Sequence, residues 1–161
     1  MILWPVGFAV VLVWAVFRDP AVDYRMVVVG ALLPDAVDGF FGGARVMHTL
    51  AASAAVLVVV MLATRHRRAA RRRLIFVPIG MLAHLLADGM WARAATFWWP
   101  FSGASLTGDL PVVDHGVVVF VAEEIAGLLA LAWCWRRFRL SDPVVRANFA
   151  RTGRLPRDLV K

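Results

Sequence analysis

Five apolar stretches run through the chain, at residues 2–17, 26–41, 47–64, 74–91 and 112–135, and polar, mostly basic segments separate them. Their apolar residues follow one another in blocks, without the strict alternation of a half-buried strand. A helix needs about 20 residues, within a range of about 17–25, to cross the hydrocarbon core of a bilayer. The stretches at 47–64, 74–91 and 112–135 meet or nearly meet that length. The first is marginal, and the second reaches it only if the portion beyond Pro34 counts. Lipid offers backbone groups no water, so each spanning segment must pair its own. The pattern therefore predicts an all-α fold, a multi-pass transmembrane helical bundle over 1–139. A polar, basic tail over 140–161 follows, in which Asp142-Pro143 is suited to cap a short surface helix.

The second stretch carries the sequence "GALLPDAVDGFF" at residues 30–41. Pro34 has no N–H to give a helix interior and suits a first turn instead, and it biases Leu33 away from helix. A broken second helix is expected, interrupted near Leu33 and restarting at Pro34. Gly39, Gly42 and Gly43 then permit a tight return towards His48.

Composition strengthens the membrane reading: 61% of the residues are hydrophobic, well above a soluble domain. The net charge of +7 changes the picture only through its placement. Six arginines fall within 65–73, and most of the other basic residues lie near the C-terminus. A basic chain can bind nucleic acid, but here the arginines flank apolar blocks, so no nucleic acid partner is expected and the charge reads as topology. With 65–73 in the cytoplasm, Arg18, Arg25, Arg136, Arg137 and the tail are cytoplasmic too, and only Arg45 and Arg93 fall in outer connections. The N-terminal stretch lacks a basic leader and a small-residue cleavage site, and is expected to be a retained helix. The single Cys134 excludes an intrachain disulfide and a cysteine-based zinc site.

Charges inside spans are costly and usually face a protein interior or a cavity. Asp35, Asp38, His84, Asp88, Glu123 and Glu124 are such cases, and His48 and His115 stand at the outer ends of their stretches. In the topology above, Asp35 and Asp38, His48, His84 with Asp88, and Asp114 with His115 all reach the same side of the membrane from four segments. His84 and Asp88 are four residues apart and share a helix face. Carboxylates with neutral imidazoles suit zinc first, and manganese or iron otherwise. The candidate ligands are Asp35, Asp38, His48, His84, Asp88 and His115, with any unbound carboxylate free to orient a histidine or act as a base. Catalytic roles fall to Asp35, Asp38 and Glu123; Glu123 is preferred over Glu124 because it shares a face with His115. Arg45 is a candidate clamp for a substrate phosphate. The substrate is then a small molecule or a lipid, and membrane lipids are the other expected partners.

Other readings use the same residues. Asp35 alone can cap a helix after Pro34. The polar residues together can form an interhelical network in a non-catalytic binding or scaffold protein. Glu123, Glu124 and Asp88 can also be read as a proton or ion relay, although no internal repeat of the transporter kind is visible.

The stretches "GALLPDAVD", "RVMHTL", "GMLAHLLADGMW" and "FWWPF", spread over residues 26–101, resemble the bacterial inner-membrane, metal-dependent hydrolase family, a group also described as LexA-binding. The resemblance rests on Leu33-Pro34-Asp35 with Asp38, on His48, on Gly80, His84 and Asp88, and on Trp99-Pro100-Phe101. It implies a metal-dependent hydrolytic activity at the bacterial inner membrane. The chain departs from the family pattern ahead of His48, with Gly43-Ala44-Arg45 where relatives often have a His-Arg pair and a glycine.

Overall fold

The computed structural model describes residues 1–40, 46–103 and 116–160. These form helices α1 (Leu3–Phe17), α2 (Tyr24–Phe40), α3 (Leu50–Ala63), α4 (Arg68–Leu74), α5 (Phe76–Ala87), α6 (Ala94–Phe97), α7 (Gly116–Arg137) and α8 (Pro143–Thr152). Short 3-10 turns lie at Val46–His48, Met90–Ala92 and Arg157–Leu159. There is no strand among the described residues, as the block pattern predicts. Within those residues α7 is the helix long and apolar enough to cross a membrane, while Leu3–Phe17 and Leu50–Ala63 are shorter apolar helices. Outward-facing Val58, Val59 and Leu62 on α3, and Val117, Val118 and Leu129 on α7, give the bundle an apolar surface that suits lipid better than water.

The helices run between two ends of the bundle. Leu3 meets Glu124 while Trp14 meets Trp133, so α1 and α7 are parallel. α2 starts beside Asp23, which Arg73 near the end of α4 reaches just before α5 begins, and both α2 and α5 finish near Asp38 and Asp88 at the far end. α3 starts at that far end, where the Thr49 hydroxyl accepts from the Ala52 N–H at 3.0 Å and caps the helix. One end of the bundle is thus acidic and histidine-bearing and the other is basic.

Contacts at glycine bring the helices close enough to fix this arrangement. A β-carbon on Gly30 would strike the Val77 carbonyl, and one on Gly80 would strike the Val27 carbonyl. At the second crossing, a β-carbon on Gly7 would lie 2.7 Å from the Gly127 carbonyl oxygen. Where lipid competes for apolar surface, helices associate by such close backbone packing.

The break expected at Leu33 and Pro34 is absent. α2 is continuous from Tyr24 to Phe40 with Pro34 inside it. A proline costs a helix one N–H and crowds the turn before it, and here that turn is supported from outside. Gly30 is locked against α5, and the Ala31 carbonyl accepts a bond from His84. Gly39 lies within α2, whereas Gly42 and Gly43 fall outside the described residues.

The C-terminal segment folds back on the basic end. Asp142 caps α8 by accepting from the Val144 N–H at 2.8 Å, with Pro143 at the first helical position. Gly153, at φ +70°, ends α8 and its carbonyl accepts from the Tyr24 N–H at 2.8 Å. Beneath it, buried Asp23 pairs with Arg25 at 2.9 Å and Arg73 at 3.0 Å, and Arg25 also donates to the Arg151 carbonyl at 2.7 Å. Tyr24, Phe138 and Phe149 stack in one aromatic cluster. Burial pushes the Asp23 carboxyl up, but the Arg25 hydrogen bonds and the charges of Arg25 and Arg73 outweigh it and hold it below the usual carboxylate range.

Replacing Gly80 by Ala is expected to cost roughly 1–3 kcal/mol through overpacking, seen as a lower melting temperature in detergent. Gly39→Ala, with nothing near the added carbon, is expected to be neutral or stabilising by up to roughly 1 kcal/mol. Because the folded Asp23 carboxyl sits below its unfolded value, its contribution is present above pH about 4 and is lost as the pH falls further. Asp23→Asn removes it at neutral pH, so trypsin should cut after Arg151 and Arg154 faster than in the native chain.

Candidate metal centre

The acidic end is assembled from α2, the turn before α3, and α5. α2 places Asp35 and Asp38 near its C-terminus, and Asp88 caps the C-terminus of α5. Gly89, at φ +62°, then turns the chain away. Helix C-termini already carry negative potential, so a carboxylate there is mildly unfavourable unless a positive group joins it. His48 ends the 3-10 turn Val46–His48. His84 stands one turn beyond Gly80 on the face of α5 that meets α2.

Both imidazoles are completely buried and both are held by Nδ1. The His84 Nδ1 lies 2.6 Å from the Ala31 carbonyl oxygen. A carbonyl can only accept, so this nitrogen carries the proton and Nε2 of the neutral ring is left with a free lone pair. The His48 Nδ1 lies 2.8 Å from Asp38 Oδ2, and Asp38 also accepts from the Met47 N–H at 3.0 Å. The same assignment follows for His48. Both Nε2 atoms then face each other at 3.4 Å.

Two carboxylates complete the group. Asp35 Oδ1 lies 3.3 Å from His48 Nε2 and 3.5 Å from His84 Nε2. Asp88 Oδ2 lies 3.2 Å from His84 Nε2 and 3.9 Å from His48 Nε2. Two bare imidazole nitrogens and two carboxylates turned towards one point repel one another unless a cation or protons stand between them. Zinc bonds of about 2.0–2.1 Å imply neighbouring tetrahedral ligands about 3.4 Å apart, and the five distances above scatter about that value. Asp35, His48, His84 and Asp88 form a group that could hold a metal ion, each offering an atom within 4.8 Å of the others. The second oxygen of Asp88, Oδ1, is buried without a hydrogen-bond partner. That is an expensive position for a carboxylate, and a bound cation would relieve it. The donor set and spacing therefore fit a divalent metal.

Of the four, Asp35 alone has appreciable solvent access, its side chain being 23% exposed. Its Oδ2 lies 3.3 Å from the Met1 amino group. Trp4 of α1 closes one side of the neighbourhood by donating from Nε1 to the Ala87 carbonyl at 2.9 Å.

The remaining expected residues fall elsewhere. Asp38 is turned to Nδ1 of His48, on the other side of the ring from the group of four. Glu123 sits half-buried on α7 and is outside that group. Arg45, Asp114 and His115 lie outside the described residues. The neighbour of Glu123, Glu124, has a function that sequence reading missed: its carboxylate accepts from the backbone N–H groups of Ile2 at 2.8 Å and Leu3 at 3.2 Å. It caps α1 from another helix, where a negative charge suits the helix dipole. Its partners are backbone groups far away in sequence, so no local pattern could have revealed it.

The described residues are all-helical, with an apolar exterior and an interior His/Asp group that could hold a metal ion, a combination that suits an integral membrane protein. The chain belongs to the YdjM inner membrane protein family, which it matches over residues 5–142. No curated protein and no solved structure matches it.

If the group takes a cation, zinc added to chelator-treated protein in detergent raises its melting temperature, and chelator reverses the rise. His84→Ala is expected to abolish the response.

Proposed function

We propose that this member of the family is a multi-pass, metal-dependent hydrolase of the bacterial inner membrane, acting on an ester or phosphoester, with a membrane lipid as the natural substrate. The observation that carries the reading is the pair of Nδ1-anchored imidazoles whose Nε2 atoms meet two carboxylate oxygens. Asp35, His48, His84 and Asp88 are the ligands in this reading, and zinc is the first choice, with manganese or iron compatible with the same donors. A divalent ion bound there supplies Lewis acidity and a nucleophile at neutral pH.

The chain's own residues have separable tasks. Asp38 keeps His48 in the tautomer that presents Nε2, and the Ala31 carbonyl does the same for His84. Asp88, buried and fixed at the end of α5, supplies a carboxylate to the site. Asp35, the carboxylate with solvent access, is where a substrate or water arrives. Burial of the histidines keeps bulk water from the interior side. Arg45 remains the candidate for substrate phosphate. The acidic end is assigned to the outer leaflet, with the arginine-rich connection and the C-terminal segment in the cytoplasm, following the positive-inside rule. The hydrolytic reading agrees with the resemblance carried by the Asp, His and Gly-x-x-x-His-x-x-x-Asp motifs.

The experiment is metal analysis of the detergent-purified protein alongside hydrolysis of chromogenic carboxylic and phosphodiester substrates. One equivalent of metal and a chelator-sensitive activity are expected, both lost in His48→Ala and His84→Ala. Asp38→Asn, which leaves all four ligands in place, is expected to weaken metal binding by about 10–100-fold. Bound metal without hydrolysis of either substrate class would leave a non-catalytic metal-binding protein. A folded protein that binds no zinc, manganese or iron would end the reading.

A further inference from the structure

At the basic end of the bundle, two arginines converge on one tryptophan. The guanidinium carbons of Arg18 and Arg137 lie 4.2 and 4.9 Å from the ring centre of Trp14. Trp14 is itself buried and held by its Nε1 donating to the Leu159 carbonyl at 3.1 Å. Trp133 meets it edge-on at 5.2 Å. Beside them a groove of about 540 Å³ follows α7, lined by Leu129, Ala132, Trp133, Arg136 and Arg137.

Among the described residues no carboxylate pairs with Arg18, Arg136 or Arg137. The adjacent Asp19 accepts from the Ala21 N–H at 2.7 Å, and Asp158 faces Arg139 at 3.5 Å. Arg18 has a second peculiarity. It stands at the C-cap of α1 with φ +47°, a left-handed position that favours glycine. A cation there is held at a conformational cost, with its guanidinium over the Trp14 face and its Nε donating to the Ala15 carbonyl at 3.3 Å.

We propose that the ends of α1 and α7 form a binding site for an anionic phospholipid. Arg18, Arg136 and Arg137 hold the headgroup phosphate, and the apolar wall of Leu129, Ala132 and Trp133 takes the first part of an acyl chain. A lipid suits the place better than a soluble phosphate because the groove continues onto the exposed apolar face of α7, the helix long enough to cross a membrane. Tryptophans at the end of such a helix mark the level of the headgroups. Arginines at that level attract anionic lipid. The site is far from the His/Asp group and does not depend on its metal.

Native mass spectrometry of the full chain in detergent, titrated with phosphatidylglycerol or with phosphatidylcholine of the same acyl chains, tests this. The native protein is expected to retain one phosphatidylglycerol in preference to phosphatidylcholine. Arg18→Gly, which places glycine where the backbone favours it, and the double variant Arg136→Gln with Arg137→Gln should weaken that retention on the order of tenfold. Arg72→Gln, a charge removed elsewhere, should leave it unchanged. Circular dichroism identifies the variants that have kept their fold, and the exposed Arg136 alone can be tested if Arg137 proves necessary for folding. Equal retention of the two lipids overturns the proposal, as does an equal loss in Arg72→Gln.

Discussion

Where α2 crosses α5 no side chain separates the backbones. Gly30 and Gly80 each face a carbonyl of the other helix, with no room for a β-carbon. That contact sets the distance from which everything at the acidic end is measured. One turn further along α5, His84 is near enough to donate to the Ala31 carbonyl, and through that bond its Nε2 is aimed at Asp35 and Asp88. The same contact supports α2 through Pro34, so Asp35 and Asp38 stay on a continuous helix. A larger residue at either glycine would move a histidine that is fixed at both ends of its ring.

The polar end gathers charge against several opposing terms. Carboxylates stand at the C-terminal ends of α2 and α5, where the helix dipole disfavours them. Two imidazoles held by Nδ1 turn their Nε2 atoms inward. Nearly all of these atoms are out of water, where an unpaired charge is costly. Interhelical hydrogen bonding returns only about 0.6 kcal/mol per bond in membrane bundles, which is small against such a concentration. A cation at the common point reverses the sign of each term. A metal ion or protons answer that electrostatic demand, and the donor geometry admits the metal ion.

The opposite end inverts the pattern. There Asp23 is buried among arginines and anchors the C-terminal segment, while Arg18, Arg136 and Arg137 are grouped with no carboxylate paired to them among the described residues. The two ends are joined by α1 and α7, which run parallel between the Glu124 cap and the Trp14 cluster. Acidic chemistry at one face and basic contacts at the other give the bundle a polarity along its axis that matches the asymmetry of a bilayer.

Much of this was readable along the chain. Blocks of apolar residues determined the helices, because an apolar run of that length can satisfy its backbone only as helix. The spacing of His84 and Asp88 determined their shared face, because a helix repeats every 3.6 residues. The alternation of apolar blocks with arginines brought Asp35, His48, His84 and Asp88 to one end. Other features had no local signal. Pro34 has a strong local preference to break a helix, and only the packing of Gly30 against Gly80 overrides it. Asp38 and Asp35 look alike in sequence, and the turn before α3 alone decides that one faces Nδ1 of His48 and the other Nε2. Glu124 and Glu123 are adjacent, and the start of α1 selects Glu124. The sequence by itself determined that the apolar blocks are helical and which end of the bundle their polar residues reach, since both follow from short-range periodicity and from charge. Tertiary structure decided which atom of each side chain meets which, since those contacts are made between segments tens of residues apart by backbones that touch at glycine.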